Sequence, residues 1–125
     1  MPSFRELESL RVTVDKVVYT PKLETPTERP HPFAYYLTIE NLSEETVTIK
    51  GRKWVVTDAK GHRVVVEGDG VVGKTPRLAP GERFSYHSYH VIASDSVAEG
   101  AFFAINQEGE RVVTRIPRFE MKVPR

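Results

Sequence analysis

Three glycines in the fragment EGDGVVGK, within residues 68–73, have the spacing G-x-G-x-x-G of the loop that holds the pyrophosphate of a dinucleotide. In a dinucleotide-binding fold these glycines follow a strand and open a helix, whose N-terminus binds the phosphates. Here residues 64–66 indicate the strand, but Pro76 and Pro80 fall within the first two turns of the required helix. The spacing alone therefore does not predict a dinucleotide-binding fold.

A phosphate group can also bind to a loop without a helix, because successive backbone N–H groups form an anion-binding nest. Glu67 and Asp69 oppose this: at ~4 Å and an effective dielectric of 20, two like charges repel by about 4 kcal/mol. A charge-assisted hydrogen bond to the phosphate contributes roughly 1.5–3 kcal/mol, which is similar in size to this repulsion. The alternative is that the glycines allow positive φ angles and close packing in a tight connection between strands. The candidate phosphate-binding residues are Gly68, Gly70, Gly73, Lys74 and Arg77.

The histidines and carboxylates do not form a catalytic or metal-binding pattern. His87 and His90 are three residues apart in a predicted strand and therefore face opposite sides. Ser85 shares a face with His87, and Ser88 with His90, but alternate residues on a strand are about 6.6 Å apart. A nucleophile also needs direct contact with its base and a third, orienting group. We therefore expect solvated or rim histidines, no enzyme activity, no metal and no cofactor.

Two adjacent tyrosines are candidates for a protein-binding surface. Tyr35 and Tyr36 lie in a predicted strand, so their side chains must point to opposite faces and one should be exposed. Aromatic residues, tyrosine included, are enriched in protein interfaces. We take Tyr35 and Tyr36 as candidate interaction residues.

The elements that carry these residues are strands. Apolar residues alternate with period two along most of the chain, with a phase change at residues 15–16 that indicates a β-bulge and a second irregularity at Gly51. Turn signals occur at residues 58–61, 80–81 and 107–109. Pro117 should interrupt the last strand or lie at a sheet edge. We predict an all-β protein: an antiparallel β-sandwich of the fibronectin type III or immunoglobulin-like kind, with seven to eight strands and no long helix.

The predicted core contains apolar residues that alternate in these strands. It comprises Val12, Val14, Leu37, Ile39, Trp54, Val56, Phe84, Tyr86 and Phe102. Because so large a side chain is rarely covered completely, we do not expect Trp54 to be more than ~95% buried.

Length and charge exclude several classes of protein. The 125 residues predict one domain, with its core at about residues 9–123. The net charge of +1 gives no basis for nucleic-acid binding, and no stretch predicts a membrane span or a signal peptide. The absence of cysteine fits a reducing compartment, so we expect a cytoplasmic protein.

The longer motifs of the chain resemble the ApaG family. They are RKWVVTDAKGH, EGDGVVGKTPRLAPGERFSYHS, GAFFAI and IPRF, and the similarity spans residues 12–119. The positions that match the family pattern are Arg52, Trp54, Thr57 and Asp58; Gly68, Gly70, Val71, Val72, Gly73 and Pro76; and Pro80, Gly81, Glu82, Phe84, Tyr86 and Ser88. Where the family commonly has a glycine, a methionine and a tyrosine, this chain has Ser96, Ala98 and Phe102.

The resemblance implies a small bacterial protein with a fibronectin type III-like sandwich and no established catalytic activity. The same domain is fused to eukaryotic F-box and DNA-polymerase-interacting proteins, and the family is associated indirectly with diadenosine polyphosphate hydrolysis, cobalt resistance and magnesium efflux. We therefore expect a non-catalytic protein-interaction module whose partner is another protein or a second copy, as in a homodimer formed through a sheet edge. The alternative is a sensor of a nucleotide or diadenosine polyphosphate, bound through its pyrophosphate at residues 68–73.

Overall fold

The computed structural model describes residues 3–125 and contains nine strands in two sheets. The strands are β1 (Arg5–Glu6), β2 (Leu10–Tyr19), β3 (His31–Asn41), β4 (Val47–Asp58), β5 (Arg63–Asp69), β6 (Arg77–Leu78), β7 (Arg83–Ile92), β8 (Ser96–Asn106) and β9 (Arg111–Met121). The predicted all-β sandwich is confirmed. The structure has nine strands where seven to eight were predicted, and two of them, β1 and β6, have only two residues each, which is too short to show an alternating pattern. The described residues include no helix with the length and hydropathy needed to cross a bilayer.

The two sheets differ in size. The larger sheet has six strands in the order β1-β9-β8-β4-β5, with β6 also paired to β4, and the smaller sheet has the order β2-β3-β7. Neighbouring strands are antiparallel except β1 and β9, which are parallel. Strands β2 and β9 are in contact, which closes one side of the sandwich. On the other side, β5 and β7 are the outermost strands of their sheets.

The predicted irregularities of the strands are confirmed. The pairing of β2 with β3 shifts register between Val14 and Lys16, and that of β4 with β8 shifts between Ile49 and Gly51. A third shift lies between Ala98 and Gly100 of β8, opposite the part of β9 that contains Pro117. Strand β1 pairs with β9 only near its start, so Pro117 lies on a free edge, as a residue without a backbone N–H should.

The predicted turns are confirmed as well. Gly81 has a φ of 87°, and Glu82 N donates a hydrogen bond to Ala79 O at 2.9 Å across the Pro80–Gly81 pair. Gly61 and Gly109 also have positive φ, 86° and 79°, in the hairpin turns that follow β4 and β8. Each glycine stands where an L side chain would be strained.

Aromatic side chains form the centre of the core, around the tryptophan of β4. Trp54 is only 1% exposed, so the expectation that it would be less than ~95% buried is wrong. The cause is its position in an inner strand of the larger sheet, where rings from three other strands surround it. The ring centroids of Tyr35, His90 and Phe119 lie 4.9, 4.7 and 5.7 Å from that of Trp54.

Most of the predicted core residues are buried. The buried members of the predicted set are Val12, Leu37, Ile39, Trp54, Val56 and Phe102. Val14, Phe84 and Tyr86 are only partly buried and pack against the core from its rim. Their strands, β2 and β7, are the two outer strands of the smaller sheet, so one flank of each side chain is less covered.

The close approach of β4 and β8 depends on a glycine. A Cβ atom at Gly100 would lie 2.1 Å from the backbone oxygen of Lys53. We expect Gly100→Ala to lower the free energy of unfolding by about 3 kcal/mol, because two backbones must separate to accept the methyl group. Urea unfolding followed by circular dichroism measures this.

The matched control for that substitution is Gly61→Ala, in an open turn where nothing lies within 4 Å of the added atom. Only the positive φ opposes this change, and we expect a loss of ~1 kcal/mol. Equal losses in the two variants would show that the Gly100 contact does not limit the separation of the strands.

Candidate functional site

A cavity of about 300 Å³ opens between β5 and β7, on the side of the sandwich where both sheets end. Its inner wall contains Arg52, Trp54, Ser88 and His90, and Val64 and Val66 form the wall contributed by β5. The volume lies at the lower end of the range for small-molecule sites. We call this the β5–β7 cavity.

The cavity exists because the smaller sheet does not extend over β5. Val64 pairs with Val56, and Val66 pairs with Trp54. Directly opposite residues of an antiparallel pair point to the same face, so these two valines face inward like their partners. They are nevertheless 45% and 41% exposed, whereas Val56 and Trp54 are buried. The inner face of β5 is thus an apolar surface without a covering sheet.

Two buried polar atoms have no hydrogen-bond partner among residues 3–125 and belong to side chains that line this cavity: Trp54 Nε1 and His90 Nε2. Trp54 is 1% exposed and His90 9% exposed, so little bulk water reaches them. An unpaired buried donor or acceptor costs about 1–3 kcal/mol, and most such groups in proteins are paired with protein or ordered water. These two atoms lie behind the surface of the wall that borders the cavity, in side chains that the cavity exposes in part.

The histidine in this wall is neutral at physiological pH. Burial among aromatic rings lowers the pKa of His90 from 6.5 to about 4, because a charged imidazole would lose its hydration. Its ring stacks on that of Tyr35 at 4.7 Å. The expectation that the histidines are solvated or lie at the rim is wrong for His90, since β7 places it on the inner face, next to the core.

Burial also acts on Tyr35 and raises the pKa of its phenol. The neighbouring side chains of Ser88, Arg52 and Trp54 lower the pKa of this phenol and offset part of the effect of burial. The Tyr35 oxygen is thus close enough to the indole to be affected by it, although Trp54 Nε1 does not have the geometry of a hydrogen bond. The inner wall of the cavity is a cluster of polar groups within an aromatic core.

Arg52 connects the cavity with the glycine loop. Its Nη1 donates hydrogen bonds to Asp69 O at 2.9 Å and to Gly70 O at 3.2 Å. The guanidinium covers Gly68, where a Cβ atom would lie only 2.7 Å from Nη1. None of the ion pairs or hydrogen bonds within residues 3–125 gives Arg52 a carboxylate partner. Its remaining donors are therefore available to the cavity.

The glycine loop itself is a tight hairpin. Val71 N donates to Lys74 O at 2.7 Å, and Lys74 N donates to Val71 O at 2.9 Å. Val72 and Gly73 between them have positive φ angles of 44° and 79°, the conformation of a type I′ turn. Gly70 N donates to Lys50 O at 2.7 Å. Three N–H groups that a phosphate nest would use are thus engaged within the protein.

The same geometry explains the glycine spacing. A Cβ atom at Gly70 would lie 2.3 Å from Lys74 O, so the two limbs of the loop can close only on a glycine. The side chains of Lys74 and Arg77 are exposed and do not converge on the loop through any hydrogen bond or ion pair among the described residues. These observations favour close packing and positive φ as the role of Gly68, Gly70 and Gly73.

The two candidate interaction tyrosines have different environments, as their adjacent positions in a strand require. Tyr35 is 4% exposed and belongs to the core. Tyr36 is 37% exposed on the outer face of the smaller sheet, where it stacks on His87 at 5.2 Å and lies 5.6 Å from Lys16 Nζ. Only Tyr36 can contact a partner in this conformation.

Sequence reasoning missed the residues that make the open side distinctive. The sequence of residues 64–66 predicts a strand. Its three consecutive apolar residues place valine on both faces, a pattern that fits an interaction edge as well as a buried strand. Arg29 belongs to the long connection between β2 and β3 and lines the β5–β7 cavity. Nothing local in the sequence indicates that contact. The connection meets the cavity beside Asp58 and His62, so it lies at the opposite end of β5 from the glycine loop.

Comparison with known proteins identifies the family. A family model described as the ApaG domain matches residues 21–106. The chain belongs to the ApaG family. Protein ApaG of Shewanella sediminis is 40% identical over 94% of this chain and 93% of its own length.

Solved structures agree with the ApaG assignment. An X-ray structure of a structural genomics target has a TM-score of 0.83 and 32% identity, and the match covers 93% of this chain and 88% of that one. A crystal structure of a Bordetella pertussis protein described as ApaA has a TM-score of 0.79 and 28% identity, with 98% and 99% covered. These two solved proteins thus share the fold of this chain. The names of the curated ApaG relatives indicate no catalytic activity.

The low pKa of His90 has a consequence for stability. The unfolded state takes up a proton near pH 6.5, whereas the folded state does so only near pH 4, so the unfolded state binds more protons in between. The contribution of His90 is complete above about pH 6.5 and is lost as the pH falls to about 4, by ~3 kcal/mol in total. We expect His90→Phe, which keeps an aromatic ring in the stack, to remove this part of the pH dependence.

The measurement is urea unfolding at half-unit steps from pH 7 to pH 4. His87→Phe is the matched control, because it removes an exposed histidine of the same strand and leaves His90 in place. If wild type and His90→Phe lost stability equally over this range, His90 would not be the buried titrating group.

Proposed function

We propose that this ApaG-family protein is a non-catalytic protein-interaction module that binds an extended segment of a partner along β5. The observation that supports the proposal is that β5 is an edge strand with exposed apolar side chains. β5 is the last strand of the larger sheet, and its three consecutive valines, Val64, Val65 and Val66, are 45%, 51% and 41% exposed.

An edge strand offers unpaired backbone N–H and C=O groups to another chain. Proteins usually protect such edges with charged residues, proline, bulges or very short strands. The middle of β5 has none of these: its charged residues lie outside the three valines, and its pairing with β4 is regular. A partner strand would complete the backbone hydrogen bonds, and its side chains would lie beside the valines on both faces of the extended sheet, as in β-augmentation.

The partner is a protein, either another protein or a second copy of this chain. A second copy brings its own β5, so an isologous homodimer would join the two larger sheets. The indirect link of the family with cobalt and magnesium homeostasis would then act through the partner. We place this function in the cytoplasm, since a chain without cysteine suits a reducing compartment.

Tyr36 offers a second, separate surface. It is exposed on the outer face of β3, the middle strand of the smaller sheet, and not at the β5 edge. A partner that contacts Tyr36 would cover a sheet face instead of extending a sheet. The substitution Tyr36→Ala therefore distinguishes the two surfaces.

The substitution that tests the β5 edge is Val65→Lys. Val65 is the most exposed of the three valines, and a lysine at this position should block strand addition with little effect on folding. We expect wild type to form a homodimer or to retain a defined protein partner, and Val65→Lys to lose that association at least about tenfold. Sedimentation velocity measures the homodimer, and affinity capture with cross-linking at β5 measures the complex with another protein.

Leu42→Lys is the matched control, because Leu42 is 47% exposed and lies just after β3. It should bind as wild type does. Association that persists in Val65→Lys but disappears in Tyr36→Ala would move the interaction to the face of the smaller sheet. A chain that stays monomeric and cross-links no protein at β5 would refute the proposal.

Binding of a pyrophosphate-containing ligand at Gly68, Gly70, Gly73, Lys74 and Arg77 is the rival function, and no contact within the loop favours it. Because Gly70 N, Val71 N and Lys74 N are already bonded, we expect no heat on titration with pyrophosphate, ATP or diadenosine tetraphosphate at millimolar concentration. Binding that is abolished by Lys74→Ala would restore the rival.

A further inference from the structure

The inner wall of the β5–β7 cavity has donors that nothing in the described chain uses. Trp54 Nε1 can only donate a hydrogen bond, and it is buried without an acceptor. Arg52, which lines the cavity, donates through Nη1 alone to the glycine loop, so its other N–H groups have no partner within residues 3–125. His90 Nε2 is a further unpartnered atom, buried like the indole nitrogen behind the surface of the wall. The guanidinium of Arg52 thus retains donors for a molecule that accepts hydrogen bonds.

The charge around the cavity favours an anion. Arg29, half-buried at the mouth, and Arg52 both line the cavity, and neither forms an ion pair within residues 3–125. One carboxylate, that of Asp58, also lines it. That carboxylate is occupied: Oδ1 accepts hydrogen bonds from Lys60 N and His62 N at 2.9 Å each, and Oδ2 lies 3.2 Å from His62 Nδ1. The lining thus has two guanidinium groups against one carboxylate, and neither guanidinium is paired with that carboxylate.

Much of the remaining lining is apolar. Val64, Val66 and Ile92 border the space, and the face of the β5 valines has no covering sheet. The apolar surface that lines the cavity is therefore substantial, although Ser94 and Ser96 also border it. A fully hydrated ion such as inorganic phosphate would leave that apolar surface exposed to water, whereas a ligand with an apolar body would cover it.

We propose that the β5–β7 cavity binds a small organic carboxylate, with the carboxylate at Arg52 and an apolar body against Val64, Val66 and the ring of Trp54. Arg52 can present a fork of N–H donors to the two oxygens. Arg29 adds long-range attraction at the mouth. This site is distinct from the glycine loop and from the outward-facing backbone edge of β5, and it does not depend on a protein partner.

The chain carries its own reporter for this site, because Trp54 is its single tryptophan. The indole N–H gives one signal in a ¹H–¹⁵N correlation spectrum. We expect titration with benzoate to shift that signal with saturation in the millimolar range or below. Benzamide, which has the same shape and no charge, should bind at least about tenfold more weakly, and inorganic phosphate should not shift the signal.

Three substitutions separate the residues that hold the carboxylate from those that only carry charge. Arg52→Lys should weaken benzoate binding about tenfold, because an ammonium group cannot present the fork. Arg29→Gln should weaken it about threefold, since this residue is at the mouth and screened by solvent. Arg77→Gln removes an equal charge from an exposed position outside the cavity and should leave the affinity unchanged.

Arg52 also closes the glycine loop, so Arg52→Lys is used only if its amide spectrum keeps the dispersion of wild type. Arg29 has no hydrogen bond to the glycine loop, so Arg29→Gln tests the role of positive charge at the cavity even if Arg52→Lys alters the loop. No shift of the Trp54 indole signal up to 50 mM benzoate would overturn the proposal. So would equal affinities for benzoate and benzamide, or an equal loss of affinity in Arg29→Gln and Arg77→Gln.

Discussion

The larger sheet has six strands, and the sheet that faces it has three. The core of a sandwich forms where the side chains of two sheets interdigitate. A sheet of three strands therefore cannot cover the whole inner face of a sheet of six. Strand β2 contacts β9, and the rings of β3 and β7 pack on Trp54 of β4 and Phe102 of β8. Strand β5 extends beyond this overlap. Its exposed valines, the open cavity and the free backbone edge all result from this difference in width.

The boundary between covered and uncovered sheet runs along the aromatic wall of Tyr35, Trp54 and His90. On its inner side the rings are in van der Waals contact, and burial keeps the imidazole of His90 neutral. On its outer side the side chains of Trp54 and Arg52 line the cavity. Unpaired buried groups lower stability, and proteins commonly retain such groups where they serve recognition. A polar wall at the end of an apolar core gives a ligand both an orienting contact and a surface to cover.

The glycine loop shows how a motif spacing can arise from chain geometry. Gly68 lies under the guanidinium of Arg52, Gly70 against Lys74 O, and Gly73 at a positive φ in a type I′ turn. Each glycine has a different steric reason, and together they reproduce the spacing of a nucleotide-binding loop. The functional meaning of such spacing depends on a helix N-terminus that presents free N–H groups. Here the N–H groups of Gly70, Val71 and Lys74 bond to the protein itself.

Features that depend only on neighbouring residues could be predicted from the amino-acid sequence. The period of two along a strand accounts for the alternation of Leu37 and Ile39 and for the bulge between Val14 and Lys16. The positive φ of glycine accounts for the turn at Gly81, and the missing N–H of proline accounts for the edge position of Pro117. The exposure of Val64 and Val66 and the burial of His90 could not be predicted in this way. Nor could the position of Arg29 in the lining of the same cavity as Arg52. These facts depend on the order of strands within each sheet and on how far one sheet covers the other. Strands distant in sequence set that overlap, so no local pattern of residues could reveal it.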